Sequence, residues 1–425
     1  MNDLAVASVI FSLTYLLIIS ERVHKTAAAL IGGVAVIAFR VLDQEEAFAA
    51  IDLNVIFLLV GMMVIANTLG KTGAFQWLAI RSAKAARGNP LYIMLILGVI
   101  TALGSAFLDN VTTVVLIAPV TILICEILGI SSQPFLMAEA LLSDTGGVAT
   151  LVGDPPNILI GSAAGLTFLD FLTHSLPIVI VVWLSALGIL YYLYRKELSG
   201  DPTDLDALME LNPRDALKDS KTARKTLIVI SGTVIFFLFE EVFKVRPALV
   251  ALGGAAVALV WVRPVIQETL KRIQWDVLIF FAALFVMIGG MQSAGVFQGF
   301  ISLAAPMKIL PPVLLGLILL WIVAVLSAVV DNVPITIALI PVIQGLGSAG
   351  IPTAPLWWAL VFGAGFGGNG TIIGSTANIV VASLSEKTRN PITPMIWNKR
   401  GLPVMIGTTF IASICYLLLF SFLGT

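Results

Sequence analysis

Cysteine is almost missing from this chain, with two among 425 residues, Cys125 and Cys415, both set in apolar runs. That excludes a disulfide framework and any CxxC redox or metal motif. It also excludes capture of a soft metal by three thiolates. Histidine is as scarce, and His24 and His174 fall at loop ends where they read as interfacial residues and not ligands. No resident metal or cofactor is expected. Charged residues make up only 12% of the chain with a net charge of −1, and no basic run is interleaved with aromatics, so nucleic acid is not an expected partner.

Hydrophobic residues, at 59%, take the place of charge, in runs of about 20 that are long enough to cross a bilayer. The chain is expected to be a multi-pass protein of the cell (inner) membrane. Its first run starts at about Leu4 without a basic leader, and Ser20-Glu21-Arg22 makes a poor cleavage site. These features favour a retained helix over a signal peptide.

Two apolar stretches are interrupted in the same way. Ser105 to Pro119 reads SAFLDNVTTVVLIAP and Ser327 to Pro341 reads SAVVDNVPITIALIP, so Asp109 and Pro119 recur 222 positions on as Asp331 and Pro341. A second pair follows, GGVATLVGDPPN from Gly146 and GGNGTIIGSTAN from Gly367, 221 positions apart. A long fixed period in an apolar chain marks a transporter built from two repeats.

The first repeat, 1–195, shows spans at about 4–20, 26–42 and 53–70, and an interfacial helix at 71–88. A hairpin at 91–128 broken at Asp109-Asn110, a span at 134–165 broken at 146–157, and a span at 176–195 complete it. A polar linker, 196–225, carries Asp201-Pro202 and Asn212-Pro213 and is assigned to the cytoplasm. The second repeat, 226–425, follows the same order. Its spans lie at about 226–243, 247–262 and 275–293, with an interfacial stretch to Lys308. A broken hairpin at 311–347, a broken span at 354–385 and a span at 402–421 follow.

With each hairpin entering and leaving on one face, 20 of the 24 Lys and Arg residues fall on one side; only Arg40, Lys244, Arg246 and Lys308 fall on the other. The rich side is cytoplasmic and both termini are external. Five crossings per repeat is an odd number, so the repeats are inverted. The expected fold is an all-α polytopic protein of about 10 transmembrane helices and two re-entrant hairpins.

A backbone break at membrane depth strands polar groups unless it lines a cavity. Gly146, Gly147, Gly153, Gly367, Gly368, Gly370 and Gly374 offer permissive backbone there, and Pro155 and Pro156 stop a helix. Asn157 and Asn378 stand where the second half-helix begins, a capping position. An intramembrane acid is a functional candidate by default, which singles out Asp109 and Asp331; each also suits a helix cap. The candidate substrate set joins to these two Asn110, Thr112, Thr113, Thr150, Asp154, Asn157, Asn332, Thr336, Asn369, Thr371, Ser375 and Asn378. Proton coupling is placed on Asp109 and Asp331, with Asp144 in reserve. No Lys or Arg lies inside the breaks. An intramembrane aspartyl protease also uses two membrane acids, but here the acids are repeat-related tips within breaks, so the chain is not expected to be an enzyme.

FLDNVTTVVLIAPVT, TLVGDPPNILIGS and GNGTIIGSTANIVVAS, with ERVHKTAAALIGG and DLNVIFLLVGMM, resemble the ion transporter superfamily over nearly the whole chain. More narrowly they resemble the family of arsenite efflux pumps (ArsB), NhaD-type sodium/proton antiporters and the melanosomal P protein. The resemblance implies a scaffold, 1–90 with 226–310, and a moving transport part, 91–165 with 311–385. It implies secondary transport driven by the proton-motive force, with a cytosolic ATPase as a possible partner. The first expectation is export of arsenite or antimonite in exchange for protons, the second sodium/proton antiport, the third anion or carboxylate transport.

Overall fold

The structure, a computed structural model, describes residues 3–20, 22–199, 204–296 and 310–424. Two features expected from the sequence lie wholly or mostly outside them, Asp201-Pro202 and the stretch from 297 through Lys308. Among the described residues every long apolar run is helical and there is no strand.

The first half contains α1 (Asp3–Ile19), α2 (Lys25–Ala38), α3 (Gln44–Ala49), α4 (Leu53–Gly70), α5 (Ala74–Ala85), α6 (Pro90–Phe107), α7 (Asn110–Ile127), α8 (Gln133–Gly147), α9 (Pro155–Ala164) and α10 (Phe168–Tyr194). The second contains α11 (Ser220–Leu238), α12 (Pro247–Val262), α13 (Trp275–Ser293), α14 (Pro312–Val329), α15 (Asn332–Ser348), α16 (Ala354–Gly367), α17 (Thr376–Ser385) and α18 (Pro394–Leu418). Among the described residues seven helices are long and apolar enough to cross a membrane: α4, α6, α7, α10, α13, α14 and α18. The other apolar candidates are shorter, such as α1 with 17 residues and α2 with 14.

Each hairpin turns in two residues, Leu108-Asp109 between α6 and α7 and Val330-Asp331 between α14 and α15. The Asp is what allows so short a turn. Asp109 Oδ1 accepts the Thr112 N–H at 3.0 Å and Asp331 Oδ1 the Val333 N–H at 3.2 Å, so each begins the outgoing arm as its N-cap, worth about 1 kcal/mol. The α6 and α7 arms have 18 residues each, about 27 Å, nearly a full membrane thickness.

The two breaks are built alike. Asn157 Nδ2 donates to the carbonyls of Gly147 (3.0 Å) and Thr150 (2.8 Å); Asn378 Nδ2 donates to those of Gly368 (2.9 Å) and Thr371 (3.0 Å). One amide thereby satisfies two carbonyls freed by each interruption, which would otherwise be costly in an apolar interior. The break glycines do not serve backbone permissiveness, since none of the seven has a positive φ. They allow close approach. A methyl on Gly146 would sit 2.5 Å from the Ala102 carbonyl oxygen of α6, and one on Gly367 2.4 Å from that of Ala324 in α14. The broken helices α8 and α16 thus lie backbone to backbone against the incoming hairpin arms.

Boundaries differ most from expectation at three places. Helix α10 starts at Phe168 and not near 176, because Thr167 caps it. Helix α18 starts at Pro394 and not near 402, because Thr393 caps it and proline fits a first helical turn; Arg400 then lies inside the helix and donates to the Leu193 carbonyl. Helix α11 begins at Ser220, capped by Asp219, so the end of the expected linker is helical.

Candidate transport site

The turns of both hairpins and both breaks converge. From the first turn, Asn110 Nδ2 donates to Asp144 Oδ1 on α8 at 2.9 Å, and Ser375 Oγ, from the second break, donates to the same oxygen at 2.8 Å. From the second turn, Asn332 Nδ2 donates to Asp154 Oδ2 in the first break at 3.1 Å. Asn369 Nδ2 of the second break donates to Thr145 Oγ1 on α8 at 3.2 Å. The second turn is therefore tied to the first break, while the first turn meets the second break through the shared Asp144 carboxylate.

These residues are buried, Asp144 at 1% and Asp154 at 2% exposure. Burial makes the remaining polar atoms informative. Among the described residues Asp144 Oδ2 and Asn369 Oδ1 have no hydrogen-bond partner, nor have the hydroxyls of Ser105 and Thr113. A buried polar atom without a partner carries a penalty of about 1–3 kcal/mol unless a ligand or water satisfies it.

Other candidates are engaged elsewhere. Thr112 donates its hydroxyl to Asp109 Oδ2 within the same cap. Thr150 and Thr371 donate to the Ala106 and Ala328 carbonyls, tying each break to its hairpin arm, and Thr336 donates to the Asn332 carbonyl at 2.8 Å. Asn157 and Asn378 hold the breaks as described.

The sequence reading did not foresee Lys25. Its Nζ lies 2.6 Å from Asp331 Oδ2, and Thr376 Oγ1 donates to that oxygen at 3.3 Å. No basic residue lies within the breaks, but one reaches the second turn from the start of α2. Its only signal was its presence in ERVHKTAAALIGG, where it counted as a loop cation. Thr145 was likewise missed, being one Thr among many on apolar helices.

A model of the citrate transporter family, CitMHS, matches residues 15–363. The chain belongs to this family. Its relatives include a 46 kDa membrane protein of Mycobacterium leprae (strain TN), 39% identical over 417 residues covering 96% of this chain and 97% of that one. An uncharacterized transporter of Mycobacterium tuberculosis (strain ATCC 25618 / H37Rv) is 40% identical over 421 residues, with the same coverage. The human P protein is 30% identical over 504 residues, covering 98% of this chain and 60% of its own. Among solved structures, the Alcanivorax borkumensis YdaH transporter, titled as having an unusual topology, matches at a TM-score of 0.58 with 17% identity, over 88% of this chain and 86% of that one; this likeness concerns the fold alone. Members of the family are transporters and not enzymes, and this chain is a membrane transporter. Citrate transporters and P protein relatives mark the family, and a specific likeness to the arsenite pumps of the sequence resemblance is not shown.

Proposed function

We propose that the protein is a secondary transporter that exports arsenite or antimonite in exchange for protons. The observation that carries this reading is the convergence of Asp144, Asp154, Asn369 and Asn332, with buried acceptors lacking donors and with the cation at the second turn, Lys25, already paired to Asp331. A neutral trihydroxide offers three O–H donors to such a site. Asp109, Asp331 and Asp144 are the candidate proton carriers, because a carboxylate exchanging a proton switches between acceptor and donor.

The working geometry in this reading is alternating access between inverted repeats. The transport part is 91–165 with 311–385, moving against a scaffold of 1–90 with 226–310, in the cell membrane with both termini external. A cytosolic ATPase is a possible partner. Recurrence of the capped turn, the asparagine staple and the glycine contact in both halves supports a duplicated unit.

Sodium/proton antiport is a second reading, supported by the same carboxylates and break carbonyls. Carboxylate transport is a third, favoured by the name of the family model. Beside Asp144 and Asp154 a polycarboxylate would have to enter protonated or metal-bound, since unpaired like charges repel strongly in a buried site. Expression in an arsenic-sensitive bacterium tests the first reading, with increased arsenite tolerance expected. Unchanged tolerance in cells that contain the protein overturns it. In everted vesicles, sodium-dependent or citrate-dependent proton movement without an arsenite response would transfer the assignment to the corresponding alternative.

A further inference from the structure

Lys25 has a counterpart. His24 to Gly33 reads HKTAAALIGG and Val245 to Gly254 reads VRPALVALGG, so the glycine pairs and Lys25/Arg246 recur 221 positions apart, the same interval that separates the breaks. The structural setting repeats as well. Lys25 is the first residue of α2, which packs on α13; Arg246 is the N-cap of α12, which packs on α4.

The two cations lie at opposite ends of the helical assembly. Lys25 is where α2 begins, and α2 must run its length before the chain turns to begin α4. Arg246 lies by the start of α4, lining a cavity of about 350 Å³ with Asn54, Ser162, Thr167 and Glu240.

Their partners are treated unequally. Lys25 is paired with Asp331, and Tyr15 Oη donates to the Pro334 carbonyl at 2.8 Å beside it, so the second turn is held at the Lys25 end. Asp109, the repeat mate of Asp331, is held among the described residues by groups of its own helix, chiefly Thr112. The guanidinium of Arg246 has no partner among the described residues, and Arg246 is exposed. Val111, next to the first turn, lines a cavity with Asn67, Arg272 and Gln274 at the Lys25 end, so both turns stand toward that end.

We propose that Lys25 and Arg246 are exchanging counter-ions of the transport cycle: Lys25 holds Asp331 in the state seen here, and in the opposite state Arg246 holds Asp109 while Lys25 lets go. The inference rests on the alternating-access reading but not on the identity of the cargo. The exchange applies the pairing seen in one half to its repeat mate, which two inverted copies require when they trade conformations. Both are positioning residues, acting by setting which end the turns occupy.

The test uses the full chain in membrane vesicles with Cys125→Ala, Cys415→Ala and one probe, Val111→Cys, labelled by an impermeant thiol reagent from each face. Lys25→Gln is expected to raise the ratio of labelling from the Arg246 face to labelling from the Arg272 face by at least roughly twofold, and Arg246→Gln to lower it, the scale of a partly exposed ion pair. Asp331→Asn should copy Lys25→Gln, and Asp109→Asn should copy Arg246→Gln. A change that merely loosens the structure would move both ratios the same way. Separately, with Val111 restored, Asp109→Cys with Arg246→Cys should be joined by a short bismaleimide, in a yield that increases when Lys25→Gln is added. If Val111→Cys labels from both faces but the four variants leave the ratio unmoved or shift it in one direction, the counter-ion proposal fails and alternating access stands. If labelling comes from a single face in every variant, alternating access fails and the proposal with it.

Discussion

Asn332 donates to Asp154 across 178 positions of sequence, joining the second hairpin turn to the first break at 3.1 Å. Because both groups are buried, the bond acts as a fastener between the two halves and its loss leaves a carboxyl without its donor. Asn332→Ala is expected to lower stability by about 1–3 kcal/mol. Thermal unfolding in detergent checks this, and a melting temperature equal to the unmodified protein would show that the bond is not formed.

Asn157 and Asn378 should behave as a matched pair. Each variant to Ala strands two break carbonyls, for a loss of about 2–4 kcal/mol each, counting about 1–2 for each lost bond. Replacement by Asp should be no better, since a carboxylate cannot donate to a carbonyl. Folded yield by size-exclusion chromatography distinguishes this staple from a purely substrate-contacting role, which would reduce transport and leave yield intact.

Gly146→Ala and Gly367→Ala should each be destabilising by about 1–3 kcal/mol or more, because the added methyl meets backbone on the neighbouring helix at 2.5 and 2.4 Å. Gly188→Ala is the control, with nothing within 4 Å of the new methyl. Similar melting temperatures for all three would contradict the packing described for α8 and α16.

Outside the membrane-spanning helices, Lys71 Nζ donates to Glu268 Oε2 at 3.0 Å and holds its carboxyl below the usual range. The sign follows from linkage. The stability from this pair is present above the ordinary glutamate pKa and is lost as pH falls through the depressed one. Glu268→Gln should therefore make melting slightly less sensitive to acid, with the difference disappearing at high salt. A difference confined to alkaline pH would assign the contact another role.

Much of this arrangement was legible in the sequence because interruption of an apolar run is a local signal. Asp109 and Asp331 locate the hairpin turns, and the glycine-rich stretches locate the breaks. Contacts made at a distance carried no such signal. Lys25 meets Asp331 across 306 positions, and a loop lysine looks the same whether or not it folds back on a turn. The break glycines were misread for a related reason. A glycine required by a neighbouring helix and one required by its own φ are identical in sequence, and only the Ala102 and Ala324 carbonyls tell them apart. Asn157 and Asn378 were read as caps of the restarting helices, but Asp154 and Ser375 stand at the N-caps; the two amides lie inside the first turn and reach back to carbonyls on the preceding segment, a contact that depends on how the chain doubles over.

The bonds that reach from the second half to Asp154 and Asp144 of the first bear on how the protein is made. Asp154 leaves the ribosome long before Asn332, and at about 5–20 residues per second the wait for those 178 residues is roughly 10–35 s. Asp144 waits longer still for Ser375, which lies 231 positions on. During that interval the newly inserted first half holds two carboxyls without their final donors, so it has to remain loosely assembled, wet or sheltered by the insertion machinery until the second half arrives.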